Sequence, residues 1–548
     1  MSRFAAVAAV ALLLLPALPL PATGQQRSPE PMSPAALRGR LEAYAADSMR
    51  GRLTGTEDHR RATRYIAEEL RRLGLQPAGD SGSFLQRVPL VTTVLDTSSA
   101  TVTAAGTALR PYRDYLPRNQ GSRARTFDGV PVVFAGIWGS ETLLRGADVQ
   151  GKVVLVATPL DNPSVVKVQI QNRFASAAAI VIANFELMEP ALREALAAGQ
   201  VQPDGPPPPT PELPAYLHIS RATAAAVLGL SDLAAARPGQ EGTPLRGSIR
   251  FRQQAVESYN VVAILPGRDA ALRNEYVAIG AHSDHVGTGA RVDHDSLRAF
   301  HLELRRKQLA NGGRVTPDVY TSVRVNMDSI RRVHPVARMD SIFNGADDDG
   351  SGAMGVLEVA RAMAADRNRP RRSVLFVWHT GEELGLFGAE HFTDFPTVPR
   401  EAIVAQVNLD MVGRGGAGEE TDGGPNYIQL IGSRRLSTQL GDLVEQVSTE
   451  RGYRWAFDYQ YDATGHPEQF YCRSDHYMYA RYGIPVVFMT TGGHADYHQV
   501  TDEVQYIDFD KLSKVTRFAH DVVRAVADRS ERLVVDKPRP DPRGNCVQ

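Results

Sequence analysis

The stretch Tyr276-Val277-Ala278-Ile279-Gly280-Ala281-His282-Ser283-Asp284 sets an apolar run directly against a histidine and an aspartate. A short apolar run without alternation reads as a strand buried on both faces, as in a parallel sheet covered by helices. The same grammar recurs on either side. Asn260–Leu265 is closed by Pro266-Gly267, and Ser373–Trp378 runs into Gly381-Glu382-Glu383. Ala402–Leu409 meets Asp410, and Ile484–Met489 leads toward His498. Amphipathic segments such as Met354–Ala364 lie between them. From Ser258 onward the pattern therefore predicts an α/β fold, with a mostly parallel (mixed) central sheet flanked by helices. Upstream, Glu57–Leu73 places Ala62, Tyr65, Ile66, Leu70 and Leu73 on one helical face, and Gly74 follows as a stop signal.

At 548 residues the chain is too long for one core, so more than one domain is expected. With 61 basic against 62 acidic side chains it lacks the Lys/Arg surplus needed to displace counterions from phosphate backbones. Nucleic acid is not an expected partner. Arg3, the apolar run Phe4–Leu20 and the small residues Ala22-Thr23-Gly24 have the layout of a secretory signal peptide over residues 1–24. Pro16, Pro19 and Pro21 break that run, which is also short for a membrane span. A secreted or periplasmic protein without stable membrane association after leader removal is expected. Cys472 and Cys546 are compatible with a disulfide or with two free thiols. From about Phe127 to Leu230 the texture changes to short apolar strands (Val130–Ala135, Lys152–Ala157, Ala179–Ala183) and a Pro-rich loop, Pro206–Pro209. The Pro- and Arg-rich end, residues 537–548, reads as a flexible tail.

Ligands of open α/β sheets bind in the crevice beyond the carboxyl ends of the strands. Four strands deliver His282, Glu383, Asp410 and His498 to that edge. A fifth element, Asp347-Asp348-Asp349-Gly350-Ser351-Gly352, precedes a helix, at the positive end of its dipole. Each piece alone has an ordinary explanation: a hydrogen-bonded histidine, a helix cap, a charged surface pair. Together, two histidines and three carboxylates suit zinc, a borderline-soft ion that accepts imidazole and carboxylate. Ligands so widely scattered, with no thiolate among them, exclude a structural zinc finger.

The ordered series Gly280-Ala281-His282-Ser283-Asp284, Gly345-Ala346-Asp347-Asp348-Asp349-Gly350-Ser351-Gly352, Gly381-Glu382-Glu383-Leu384-Gly385-Leu386, Asn408-Leu409-Asp410-Met411 and Tyr497-His498 resembles the co-catalytic zinc peptidase family of aminopeptidase Y type. The likeness spans residues 34–115 and 256–530. It implies two Zn2+ per chain: His282 and Asp410 on one ion, Glu383 and His498 on the other, and Asp348 bridging. It further implies Glu382 as general base, Asp284 orienting the His282 ring, Tyr497 donating its hydroxyl to the developing oxyanion, and a cis peptide at Asp348-Asp349. Peptides would be the substrates, cut at the N-terminal residue. A carboxypeptidase or dipeptidase, a glutaminyl cyclase and a non-catalytic binding protein are the alternatives. Gly151–Val156, Ala177–Asn184 and Leu213–Ser220 are similar to parts of a protease-associated domain, which would occupy residues 126–236 as a β-rich insertion.

Residues 287–340 form a second insertion, inside the catalytic domain, holding His294, His301 and His334. Surface helices or a lid are expected there, with Arg305-Arg306-Lys307 as a solvated face. Ser474-Asp475-His476 is not a triad, since adjacent side chains cannot converge as a triad must. Lining of the pocket and a structural role are both open to it.

Overall fold

The computed structural model describes residues 29–118, 125–160, 167–188, 190–205, 214–415 and 424–548. The signal-peptide segment 1–24 and the Pro-rich loop at 206–209 lie outside them. The central sheet is built from β1 (Tyr259–Leu265), β2 (Tyr276–His282), β3 (Ser373–His379), β4 (Ile403–Leu409), β5 (Tyr427–Ile431) and β6 (Val486–Thr490), in spatial order β1-β3-β2-β4-β6-β5. Short strands extend both edges. The middle pairs β3/β2, β2/β4 and β4/β6 are parallel, whereas β1/β3 and β6/β5 are antiparallel. The sheet is thus mixed, and its parallel centre carries the crevice.

Both faces of the sheet are covered, which explains the continuous apolar strands. Successive residues of a strand point to opposite faces. Val277, Ile279 and Ala281 enter one core with Ile66 and Leu70 of α1 (Glu57–Arg72), Met354 and Leu357 of α3 (Gly352–Ala365), and Val515 and Phe518 of α4 (Phe509–Ala527). Ala278, Leu375 and Val377 enter a second core with Phe392, Tyr479 and Phe488.

Residues 101–249 contribute a separate eight-stranded sheet with its own buried clusters. Its boundaries correct the sequence reading. Thr101–Ala104, Thr107–Leu109 and Tyr115–Pro117, assigned above to the catalytic segment 34–115, pair within this second sheet. Glu241–Ile249, beyond the expected end at 236, pairs there too. Pairing partners far apart in sequence leave no local signal.

The insertion 287–340 is a helical arm on a two-stranded stem. Thr288–Asp293 and Met339–Ile342 pair antiparallel, and α2 (His294–Ala310) and two shorter helices lie between them. The expected flexible tail is a further correction. Cys546 is bonded to Cys472, and the Gln548 side chain donates to the carbonyls of Tyr461 and Ala463 and accepts from the Tyr471 amide. The terminal residues are docked because a covalent bond and a set of hydrogen bonds hold them, neither of which Pro and Arg content reveals.

Candidate metal centre

His282 is the last residue of β2, Asp410 follows β4, Glu382 and Glu383 stand three and four residues past β3, and His498 lies in the loop after β6. The turn Ala346–Ser351 brings Asp348 to the same place, and the Asp348-Asp349 peptide is cis. Asp349 locks the arrangement. Its carboxylate accepts the backbone N–H of His282 (3.1 Å), Gly352 (2.9 Å) and Met411 (3.3 Å), tying β2, α3 and the end of β4 together. Asp502 does the same from below, accepting the N–H groups of Asp347 and Asp348. Gly352 has no alternative here, because a Cβ would sit 2.3 Å from Asp349 Oδ1 and 2.4 Å from the Leu409 carbonyl oxygen.

The five residues expected from sequence converge. Asp348 Oδ1 lies 3.1 Å from His282 Nε2, and Asp348 Oδ2 lies 3.1 Å from His498 Nε2. His282 Nε2 is 3.7 Å from Asp410 Oδ1, and His498 Nε2 is 2.9 Å from Glu383 Oε2. One carboxylate thus faces two donor sets, one oxygen to each. Asp348 Oδ2 and His498 Nε2 are buried and make no hydrogen bond, which fits atoms reserved for a cation. All donors are imidazole or carboxylate, the set zinc accepts. Asp349 lies close to His282 and Asp410. Its oxygens accept from three backbone amides, whereas Asp348 Oδ2 has no hydrogen bond.

A residue that sequence reading passed over joins the second set. His285, fully buried, places Nδ1 2.6 Å from Glu383 Oε1 and 3.8 Å from Asp348 Oδ2. Its ring meets that of His498 edge-on at 5.6 Å. The signal was a second histidine three residues beyond His282, in the same strand exit. The close-packed backbone beside it belongs to Gly345, at φ +54°, where a Cβ would stand 2.6 Å from the His285 ring.

Glu382 projects into the site with Oε2 4.0 Å from His282 Nε2. Burial pushes its carboxyl well above the usual range; the His282 charge opposes this, and Asp410 and Glu383 add to it. Asp348 behaves oppositely. Burial would raise its carboxyl, but the imidazoles of His282 and His498 hold it well below the usual range. Burial alone would lower His498, yet Asp348 and Glu383 lift it to about 10. Tyr497 stacks on His498 at 4.0 Å between ring centres and lines the cleft. Burial, then the charges of Asp348 and Glu383, push its phenol up.

Asp284 departs from expectation. The His282 Nδ1 lies 3.2 Å from the Asp284 backbone carbonyl, while the nearer carboxylate oxygen is 3.9 Å away. That carboxylate instead accepts the backbone N–H of Glu382 at 3.2 Å. Burial raises it to about 6. The strand exit turns the carbonyl, not the side chain, toward the ring, so Asp284 holds the loop of Glu382. Ser474 settles into a supporting place, donating to Asp410 Oδ2 at 2.7 Å and accepting from Asn408 Nδ2. Asp475 pairs with buried His379 at 3.2 Å, and His476 stacks on Phe488, so the tripeptide diverges in three directions. His294, His301 and His334 belong to neither donor set among the described residues.

The cleft over this centre has a volume of about 800 Å³. Asp348, Glu382, Glu383 and Asp410 line it together with one face of α2. Residues 260–523 match the profile described as Peptidase family M28. The chain is 30% identical over 132 residues to a probable leucine aminopeptidase of Arthroderma otae, covering 23% of this chain and 36% of that protein. It is 29% identical over 171 residues to leupeptin-inactivating enzyme 1 of Streptomyces exfoliatus, covering 30% and 34%. The matched segments span about a third of the length of these relatives. An aminopeptidase from Aneurinibacillus sp. strain AM-1 superposes with a TM-score of 0.48 at 16% identity, covering 93% of this chain and 97% of its own. Residues 260–523, which contain every donor described above, belong to peptidase family M28.

Proposed function

We propose that this chain is an exported di-zinc metallo-aminopeptidase that removes the N-terminal residue of peptides. The observation that carries the reading is the Asp348 carboxylate, presenting one oxygen to His282 and the other to His498 at 3.1 Å each, beside the buried Glu382. His282 and Asp410 would hold one zinc, Glu383 and His498 the other, with Asp348 shared and His285 buttressing Glu383. Bound there, a pair of zinc ions polarises the scissile carbonyl and activates water. Glu382 takes the proton of the attacking water and returns it to the leaving amine, a task that suits a carboxyl whose burial raises its proton affinity. Asp284 fixes the backbone of Glu382, and Asp349 fixes that of His282. Tyr497, stacked on His498, donates its hydroxyl where negative charge develops on the carbonyl oxygen. The Cys472–Cys546 disulfide supports export, because such bonds persist in oxidising compartments. No helix among the described residues is long and apolar enough to cross a membrane.

The test is release of chromophore from aminoacyl anilides, with N-blocked anilides as controls, by the zinc-loaded chain and its Glu382→Gln variant. Cleavage of free-amine substrates only, lost on chelation and reduced about 10²–10⁴-fold in the variant with both zinc ions retained, is the expected result. Cleavage of N-blocked peptides from the carboxyl end would make the chain a carboxypeptidase. Absence of bound zinc would end the proposal.

A further inference from the structure

Helix α2 turns His301, Leu304, Arg305, Gln308 and Leu309 toward the cleft. Their spacing of i, i+3, i+4, i+7 and i+8 is that of one helical face. The start of the helix is pinned to the loop that carries His498. His294 Nε2 lies 3.2 Å from Glu503 Oε2, and Arg298 pairs with buried Asp496 at 3.3 Å while covering the Tyr506 ring at 3.7 Å. The arm is therefore a fixed wall of the cleft. Arg305 does not lie on a solvated face, as its basic neighbourhood suggested; that description fits exposed Arg306.

Arg305 is positioned by neutral partners alone. Its Nη2 donates to the Gly493 carbonyl at 3.1 Å and its Nη1 to Gln308 Oε1 at 3.1 Å, while Nε is buried without a partner. No carboxylate faces it among the described residues. Outside the metal centre the acidic side chain on the described cleft lining is Glu468, which stands 3.5 Å from Arg473. A half-buried guanidinium held by neutral groups has lost hydration without gaining a counter-charge, and an anionic ligand would supply one. The planar fork of Arg suits a carboxylate in particular. The cleft volume of about 800 Å³ lies inside the range of roughly 300–1,000 Å³ that encloses small ligands.

We propose that Arg305 is a specificity-determining residue that binds a substrate carboxylate within the cleft it shares with the metal centre, so that short acidic-ended peptides are preferred. The proposal rests on the peptidase reading above. The carboxylate could come from the carboxyl terminus of a dipeptide or tripeptide, or from an Asp or Glu side chain near the scissile bond, and the arms of the test separate these sources.

The zinc-loaded chain is assayed on Leu-Gly-Gly against its carboxyl-terminal amide, and on Leu-Glu amide against Leu-Gln amide. The acid is expected to be favoured about tenfold in kcat/KM in at least one pair, the low end for a charged hydrogen bond. In Arg305→Met that ratio falls to near one, and in Arg305→Lys it falls partway, since Lys keeps the charge and loses the fork. A ratio near one in the native chain refutes the anchor. So does a variant that slows acid and amide alike, which would mean that Arg305 serves only the Gly493 loop. Equilibrium binding of the same pairs to the zinc-loaded Glu382→Gln chain reads the anchor without turnover. Preference for the acid that disappears on Arg305→Met, with anilides and peptides all uncut, would leave the anchor standing and overturn the peptidase reading.

Discussion

Replacing Cys546 by Ser removes the covalent tie between the chain terminus and the segment that forms one side of the cleft. The bond joins residues 74 apart, so in the unfolded chain it closes a loop of that length. Chain-entropy reasoning puts the stabilisation from such a loop at about 4 kcal/mol at 25 °C, exerted on the unfolded state. The native state also feels the change, since Gln548 then holds Tyr461, Ala463 and Tyr471 by hydrogen bonds alone. Tyr461, Phe470 and Arg473 line the cleft next to Cys472. Guanidinium unfolding of the two proteins without reductant is expected to show the loss as a lower midpoint. Hydrogen exchange should quicken over residues 460–472 while β2 and β4 stay protected. With reductant present the two midpoints should coincide. A loss below about 1 kcal/mol would refute the entropic account, because the loop length alone demands several times that. A difference that persists in reductant would place the effect in packing at the serine instead.

Other outcomes follow from the geometry of the centre. Asp348→Ala should lower zinc content at both positions, whereas His498→Ala should leave one ion per chain, as read by metal analysis after dialysis. His285→Ala should weaken the ion held by Glu383 and His498 by about 10–100-fold in chelator competition, the usual effect of losing a group that orients a ligand. An unchanged affinity would show that His285 only fills space. Acid should withdraw the stability that three buried histidines contribute. Burial depresses His59, His218 and His476 to about 3, below their unfolded value near 6.5. The unfolded chain therefore binds more protons between those values. The stability these residues contribute is present above pH 6.5 and is lost as pH falls, by up to about 1.4 kcal/mol per pH unit for each. The difference in denaturation midpoint between the native chain and His476→Phe, taken at pH 7 and at pH 5, isolates one share: the native chain should lose stability relative to the variant on acidification.

Local pattern carried the catalytic half of the chain. Continuous apolar runs such as Val277–Ala281 determined strands buried on both faces, because only helices on each side of a sheet make such runs favourable. The residue following each run determined which side chains reach the crevice. His282, Glu383, Asp410 and His498 were legible for that reason, since strand ends in a parallel sheet share one edge, whereas Asp348 was marked by the acidic run before a helix and by the family resemblance. Contacts between distant segments were not legible. Strands Thr101–Ala104 and Tyr115–Pro117 belong to the second sheet because of partners a hundred or more residues away, and Thr107–Leu109 joins it through the first of these. The docked tail depends on Cys472 and Cys546 meeting, and nothing local to either cysteine sets that distance. Asp284 kept its place but changed its partner, because the direction of a side chain leaving a strand depends on the loop packed against it. His285 and Arg305 acquire their roles only when β2, β3 and the arm are brought together. The sequence alone determined the sheet, its edge and the donor types; tertiary packing decided which donors stand beside Asp348 and which charged side chains line the same cleft, because those distances depend on how separate segments pack.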